Sequence, residues 1–146
     1  MEQRVNIEKT QSEAWKAVYA LSIAVGKSSL SPIQKHLIMI RASQINSCAF
    51  CINMHTKEAL KLGETQQRIF LLSAWKETDL FTDEEKAILA LTEEVTLISQ
   101  NGVSDKTYKE AEKFFSAQTI GEIIMSVVVM NTWNRIAIST NMPLGK

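Results

Sequence analysis

The chain has 146 residues, the length of one ordinary domain, and its 16 lysines and arginines balance 16 aspartates and glutamates to a formal net charge of zero. That length buries a core without disulfide or metal staples, and the absence of any long run of one charge excludes the electrostatic footprint of a nucleic-acid or anionic-lipid binder. The opening stretch "MEQRVNIEKTQSEAWK" holds no apolar run of the kind a signal peptide needs, and the later apolar runs stop short of a membrane span. A soluble, cytoplasmic protein with no nucleic-acid or membrane partner is expected.

From Glu8 to Val25, the residues Ala14, Val18, Leu21 and Val25 recur at helical steps, Trp15 and Tyr19 widen the stripe, and Gly26 supplies a stop. A second helix is predicted from the cap Ser31, with Pro32 at the first helical position where its missing N–H is not needed, through Ile45. Asn46 and Ser47 are candidate caps for a third helix that ends at Gly63. A short helix follows from Thr65. The capping box Thr82 to Glu85 then opens a long helix closing at Gly102, and Ser104 caps the next one. Thr119 and Glu122 read as a second capping box, opening a last helix that runs through Ile138.

The segment "IIMSVVVM" in that last helix is β-branched enough to pass for a strand, but its capped start and its length favour a helix. Apolar nearly all round, it is expected to be a central core helix, with part of its surface in an oligomer contact. No stretch alternates with period two long enough to require a sheet. The fold class is therefore all-α, a bundle of six to seven helices forming a single domain over residues 1–146.

The chemistry concentrates in "SCAFCINMH". Cys48 and Cys51 are the only cysteines, and His55 shares the chain with one other histidine, His36. On a helix the three fall within an arc of about 60°, next to Ile52, Ala59 and Leu62, which puts them on an inward, largely apolar face. Cysteines three apart lie about 5 Å from each other between Cα atoms, close enough to form and reopen a disulfide. The positive end of the helix favours a thiolate at Cys48, and His55 stands one turn from Cys51 as a base. Two other readings remain: buried packing, and a zinc site completed by His36. Zinc is disfavoured because its C-x-x-C ligands come from a knuckle rather than along one helix. His36 alone reads as a half-buried histidine near Ile33, Leu37 and Ile40.

Residues 40–98, "IRASQINSCAFCINMHTKEALKLGETQQRIFLLSAWKETDLFTDEEKAILALTEEVTLI", resemble the carboxymuconolactone decarboxylase superfamily, specifically the branch with the AhpD-like alkylhydroperoxidase core. "NTWNRIAIST" at residues 131–140 resembles that branch's terminal helix. The resemblance implies an AhpD-like helical bundle with its redox core at about 32–100, assembled as a trimer or hexamer. It implies a thiol peroxidase that uses no metal, haem, flavin or other cofactor. The partners it implies are an organic hydroperoxide or hydrogen peroxide, and a dithiol reductant on a lipoyl carrier or thioredoxin-like protein. Cys51 would attack the peroxide, Cys48 would resolve it and meet the external dithiol, and His55 would take the thiol proton. The helix-dipole argument instead favours Cys48 as the more acidic thiol.

The branch carries a relay glutamate twelve residues before its first cysteine, a position held here by His36. A histidine can relay protons but supplies no fixed negative charge. Phe50 stands where the branch can carry a histidine, and Ser47 where glycine is common. Glu93 and Glu94 match the branch and are expected to be solvated or paired. Lactone decarboxylation and a non-enzymatic redox sensor are the alternative functions.

Overall fold

The computed structural model describes residues 2–144, and every regular element among them is helical. In chain order these are α1 (Ile7–Thr10), α2 (Ser12–Gly26), α3 (Pro32–Ile45), α4 (Ala49–Lys61), α5 (Gln66–Leu71), a 3-10 segment (Leu72–Glu77), α6 (Asp83–Thr96), α7 (Ile98–Asn101), α8 (Asp105–Glu112) and α9 (Ala117–Ser139). The all-α expectation holds, and three breaks raise the helix count above six to seven. Gln11, at φ −135° and ψ 52°, separates α1 from α2, and Leu97, at φ −94° and ψ 33°, splits the helix that runs to Gly102. α5 tightens directly into the 3-10 segment.

α3 is the centre of the bundle and packs on α4, α6 and α9. Leu37 and Ile40 face α4 and α6 in a cluster with Ala59, Leu72, Trp75 and Leu89. Ile38, on another side of α3, joins Ile88, Leu91, Ile120, Ile123 and Val127 from α6 and α9. A third cluster, Ala42, Cys48, Cys51, Met130 and Ala137, links the ends of α3 and α4 to α9. The cysteines are thus part of the seam between α4 and the long helix. α9 does occupy the interior as its composition suggests, while Met125, Val128 and Ile138 remain exposed on it.

Two local expectations are corrected. The last helix opens earlier than Thr119: Ser116 is its cap, accepting a hydrogen bond from the Thr119 N–H at 3.2 Å. Glu122 does not close a box with Thr119 but accepts from the Ser29 N–H at 3.0 Å and hydroxyl at 2.6 Å, tying α9 to the turn before α3. α2 turns only part of its expected apolar stripe inward. Ala14 and Leu21 are exposed, while Trp15, Val18, Ser22 and Val25 are half-buried. Ser22 displaces Leu21 because its hydroxyl accepts the Trp133 indole N–H at 2.7 Å, and Trp15 packs edge-on against Trp133 with ring centroids 4.8 Å apart.

Candidate functional site

The site begins with the way α3 ends. Ser47 takes φ +58°, its N–H donates to the Gln44 carbonyl at 3.1 Å, and the Cys48 N–H donates to the Ser43 carbonyl at 2.9 Å. This is a Schellman closure, whose left-handed position ordinarily belongs to glycine. Asn46 and Ser47 are therefore the end of α3 and not the caps of α4. The cap of α4 is Cys48 itself, at φ −85° and ψ 94°, with its sulfur accepting the Cys51 N–H at 3.4 Å. Cys48 closes one helix with its backbone and opens the next with its side chain.

Both cysteines are free and 1% exposed, yet they face different surroundings. Cys51 and His55 lie on the wall of a cleft of about 940 Å³, which Cys48 does not line. Residues 5–8 and α2 form the other wall, and Met54, Met130 and Trp133 make the interior largely apolar. Behind the cysteines is a polar cluster. The Asn134 amide, fully buried, donates to the Ser43 hydroxyl at 3.0 Å and accepts from the Asn46 amide at 2.9 Å.

The two thiols are driven apart in acidity. The Cys51 S–H, hydrogen-bonded to Cys48, is the largest influence lowering the Cys48 pKa to about 6; burial opposes it, and the Cys51 N–H, the Asn134 amide and the Phe50 N–H assist it. Cys51 is correspondingly pushed up, first because it holds the shared proton toward Cys48 and then by burial. These opposite shifts favour, in the reduced pair, a Cys48 thiolate beside a Cys51 thiol, the ionisation that the helix-end argument anticipates.

His55 is buried, and its Nδ1 lies 3.2 Å from Glu58 Oε2, one turn further along α4. Against a carboxylate, that nitrogen donates and Nε2 keeps the lone pair, the tautomer a general base needs. Burial lowers the His55 pKa to about 4, against the pull of Glu58 and with a further push from His36. His36, in the second turn of α3, is brought to the same place: its ring centroid is 5.6 Å from that of His55, and its Nδ1 is 3.9 Å from the same Glu58 oxygen. Its pKa is also lowered, by burial first, with Glu58 opposing.

The structure thus places Cys48 and Cys51 at the α3–α4–α9 seam, puts His55 on the cleft wall with Cys51, and brings His36 beside His55 and Glu58 but not onto that wall. Glu58 and Asn134 are additional. The first is marked only by an H-x-x-E step along α4, and the second only by being an asparagine within an apolar helix. Glu93 and Glu94 are paired, as expected. Glu93 is half-buried and accepts from Arg41 Nε at 2.9 Å, Trp75 Nε1 at 2.7 Å and Lys76 Nζ at 2.8 Å. Glu94 accepts from the N–H of Ser104, the cap of α8, at 2.7 Å and from the Thr107 hydroxyl at 2.7 Å.

Residues 12–94 match the model of the carboxymuconolactone decarboxylase family. The uncharacterized protein YdfG of Bacillus subtilis (strain 168) is 40% identical over 139 residues, covering 95% of each chain. A crystal structure of a protein of unknown function from Agrobacterium tumefaciens, suggested to be the antioxidant defence protein AhpD, superposes with a TM-score of 0.95 at 39% identity, covering 99% of each chain. An alkylhydroperoxidase AhpD core from Ralstonia eutropha JMP134, an uncharacterized peroxidase-related protein, shares the fold at a TM-score of 0.83 and 15% identity, covering 95% of this chain and 74% of that one. With its C-x-x-C pair at the head of α4 and this AhpD-like helical architecture, the chain belongs to the carboxymuconolactone decarboxylase family.

Proposed function

We propose that the protein is a thiol-dependent hydroperoxide reductase in which Cys51 attacks and Cys48 resolves. The observation that carries this reading is the asymmetry of the pair: Cys51 and His55 share the wall of an apolar cleft, while Cys48 sits behind as the helix cap. As the Cys51 sulfur attacks the terminal peroxide oxygen, its proton passes to His55 Nε2 in the same step, so no second thiolate stands free beside Cys48. An S–O bond forms, the O–O bond breaks, and the departing alkoxide takes the proton back from His55. The Cys48 thiolate then attacks the Cys51 sulfur, an S–S bond forms as the S–O bond breaks, and the expelled hydroxide takes a proton from solvent to leave as water; the disulfide is reduced by exchange with an external dithiol. His36 is the second proton carrier, beside His55 and near Glu58.

The apolar cleft favours an organic hydroperoxide over hydrogen peroxide. A dihydrolipoyl or thioredoxin-like dithiol is the matching reductant, and a reducing cytoplasm the matching compartment. Among the described residues no helix is long and apolar enough to cross a membrane. Tyr19 and Ile23 on α2 and Met125 and Val128 on α9 leave apolar surface exposed, which supports a homo-oligomer, a trimer or hexamer.

Loss of cumene hydroperoxide in the presence of dihydrolipoamide tests the assignment. The wild-type protein should turn over repeatedly, Cys51→Ser should be inactive, and Cys48→Ser should stop after one equivalent with a sulfenic acid that dimedone traps. Sustained turnover by Cys51→Ser would overturn the assignment of that thiol. Conversion of muconolactone without peroxide consumption would replace the reading with decarboxylation.

A further inference from the structure

Glu58 orients His55, but its geometry reaches further. One of its oxygens is 3.2 Å from His55 Nδ1 and 3.9 Å from His36 Nδ1, and one donor atom from each of the three residues lies within 4.8 Å of the other two. His36 Nδ1 is buried and has no hydrogen-bond partner among the described residues. A buried nitrogen left without a partner is costly, and here it faces a carboxylate across a gap too long for a hydrogen bond. Two imidazoles and a carboxylate with donor atoms this close to one another form a donor set that transition metals accept.

We propose that His36, His55 and Glu58 bind one divalent transition-metal ion of the zinc class. Tetrahedral coordination with bonds of about 2.0–2.1 Å places ligand atoms about 3.3 Å apart, so a set spread over 4.8 Å needs to contract by about 1.5 Å at its widest. Glu58 Oε2 already lies 3.2 and 3.9 Å from the two Nδ1 atoms, so the contraction falls mainly between the two imidazoles, while the Glu58 side chain, 47% exposed, gives an ion its way in from solvent. The imidazole and carboxylate donors favour zinc, cobalt or nickel over magnesium or calcium. The two thiols are not ligands in this set, which separates it from a Cys₂His₂ site. Coordination through His55 Nδ1 shifts that ring's proton to Nε2, with none lost, so the nitrogen left for proton transfer no longer carries a lone pair. Metal binding and base function are then mutually exclusive at His55; this last consequence rests on the thiol-reductase reading, and the metal site itself does not.

Cobalt(II) titration of the Cys48→Ser/Cys51→Ser protein, in which no thiol can contribute, is the test; wild-type protein oxidised to its disulfide provides a second thiol-free form. The expected result is saturation at one cobalt per chain with visible d–d absorption, displaced by zinc. Glu58→Gln and His36→Gln in the same background should each weaken binding at least tenfold. Absence of stoichiometric binding in both thiol-free forms would overturn the proposal, as would affinity unchanged by both substitutions.

Discussion

The acidity of Cys48 rests on a hydrogen bond from its partner thiol, and replacing that partner gives a sharp prediction. With a pKa of about 6, Cys48 is about nine-tenths ionised at pH 7. In Cys51→Ala the S–H donor is gone, while the backbone N–H of residue 51, the Asn134 amide and the burial remain. A hydrogen bond to a charged acceptor is worth about 1.5–3 kcal/mol, equivalent to about one to two pKa units, so Cys48 should titrate at about 7–8 in this variant. The thiolate fraction at pH 7 then falls to between about a half and a tenth. Cys51→Ser restores an O–H donor and should keep the titration near that of the wild-type protein.

The sign follows from the charge: a thiolate stabilised in the fold persists to lower pH, so weakening it moves the ionisation step upward. Thiolate ultraviolet absorbance followed across pH in each single-cysteine variant measures the step directly. If Cys48 in Cys51→Ala still ionises at about 6, the helix end and Asn134 hold the charge, and the partner thiol does not. Agreement of the alanine and serine variants at about 7–8 would also refute the reasoning, since only one of them lacks a donor.

Two further predictions concern the supports of the site. Ser47→Gly relieves a left-handed residue, a strain of about 1–2 kcal/mol, partly offset by about 0.4–1 kcal/mol of added freedom in the unfolded chain. A net gain of about 0.5–1 kcal/mol should appear as a melting temperature raised by about 1–4 °C, and a lower one would show that Ser47 is not strained. Glu93→Gln leaves Arg41 without its counter-charge between α3 and α6, and a loss of about 2–4 kcal/mol is expected in urea unfolding, with a loss below about 1 kcal/mol counting against a structural role for the pair.

The sequence makes helix boundaries legible where a cap side chain has one candidate. Ser31 before Pro32, Thr82 with Glu85, and Gly63 at φ +96° all stand where the pattern puts them. It misleads where two residues three apart fit equally well, as with Ser116 and Thr119, because choosing between them depends on Glu122 finding Ser29 across the fold. The head of α4 was hidden for a different reason: cysteine is an unusual cap, and Ser47 stands in a conformation that normally announces itself with glycine. Helical spacing brings Cys48, Cys51 and His55 together from one segment. His36 came from the resemblance, Glu58 looks like any solvated charge, and Asn134 lies 86 positions beyond Cys48, where only the packing of α9 brings it to the sulfurs.

The helix-end argument and the base argument point to different sulfurs, and in the proposed cycle both are satisfied because they act at different times. A resolving thiol is needed only after the sulfenic acid exists, when it must attack without waiting to lose a proton. Once the Cys51 S–H is consumed, the Cys51 N–H, the Asn134 amide and the Phe50 N–H are what remain to hold a thiolate at Cys48, and its place behind the cleft keeps it from the incoming peroxide. The attacking thiol is better kept protonated until substrate arrives, since a permanent thiolate on the cleft wall would be spent on chance encounters with oxidants. Cys51, with its proton held toward Cys48 and His55 one turn away, is in that state. The same reasoning explains why the cap is a cysteine: a serine at position 48 could hold the Cys51 N–H equally well, but only sulfur can hold that N–H at rest and then leave it to form the disulfide.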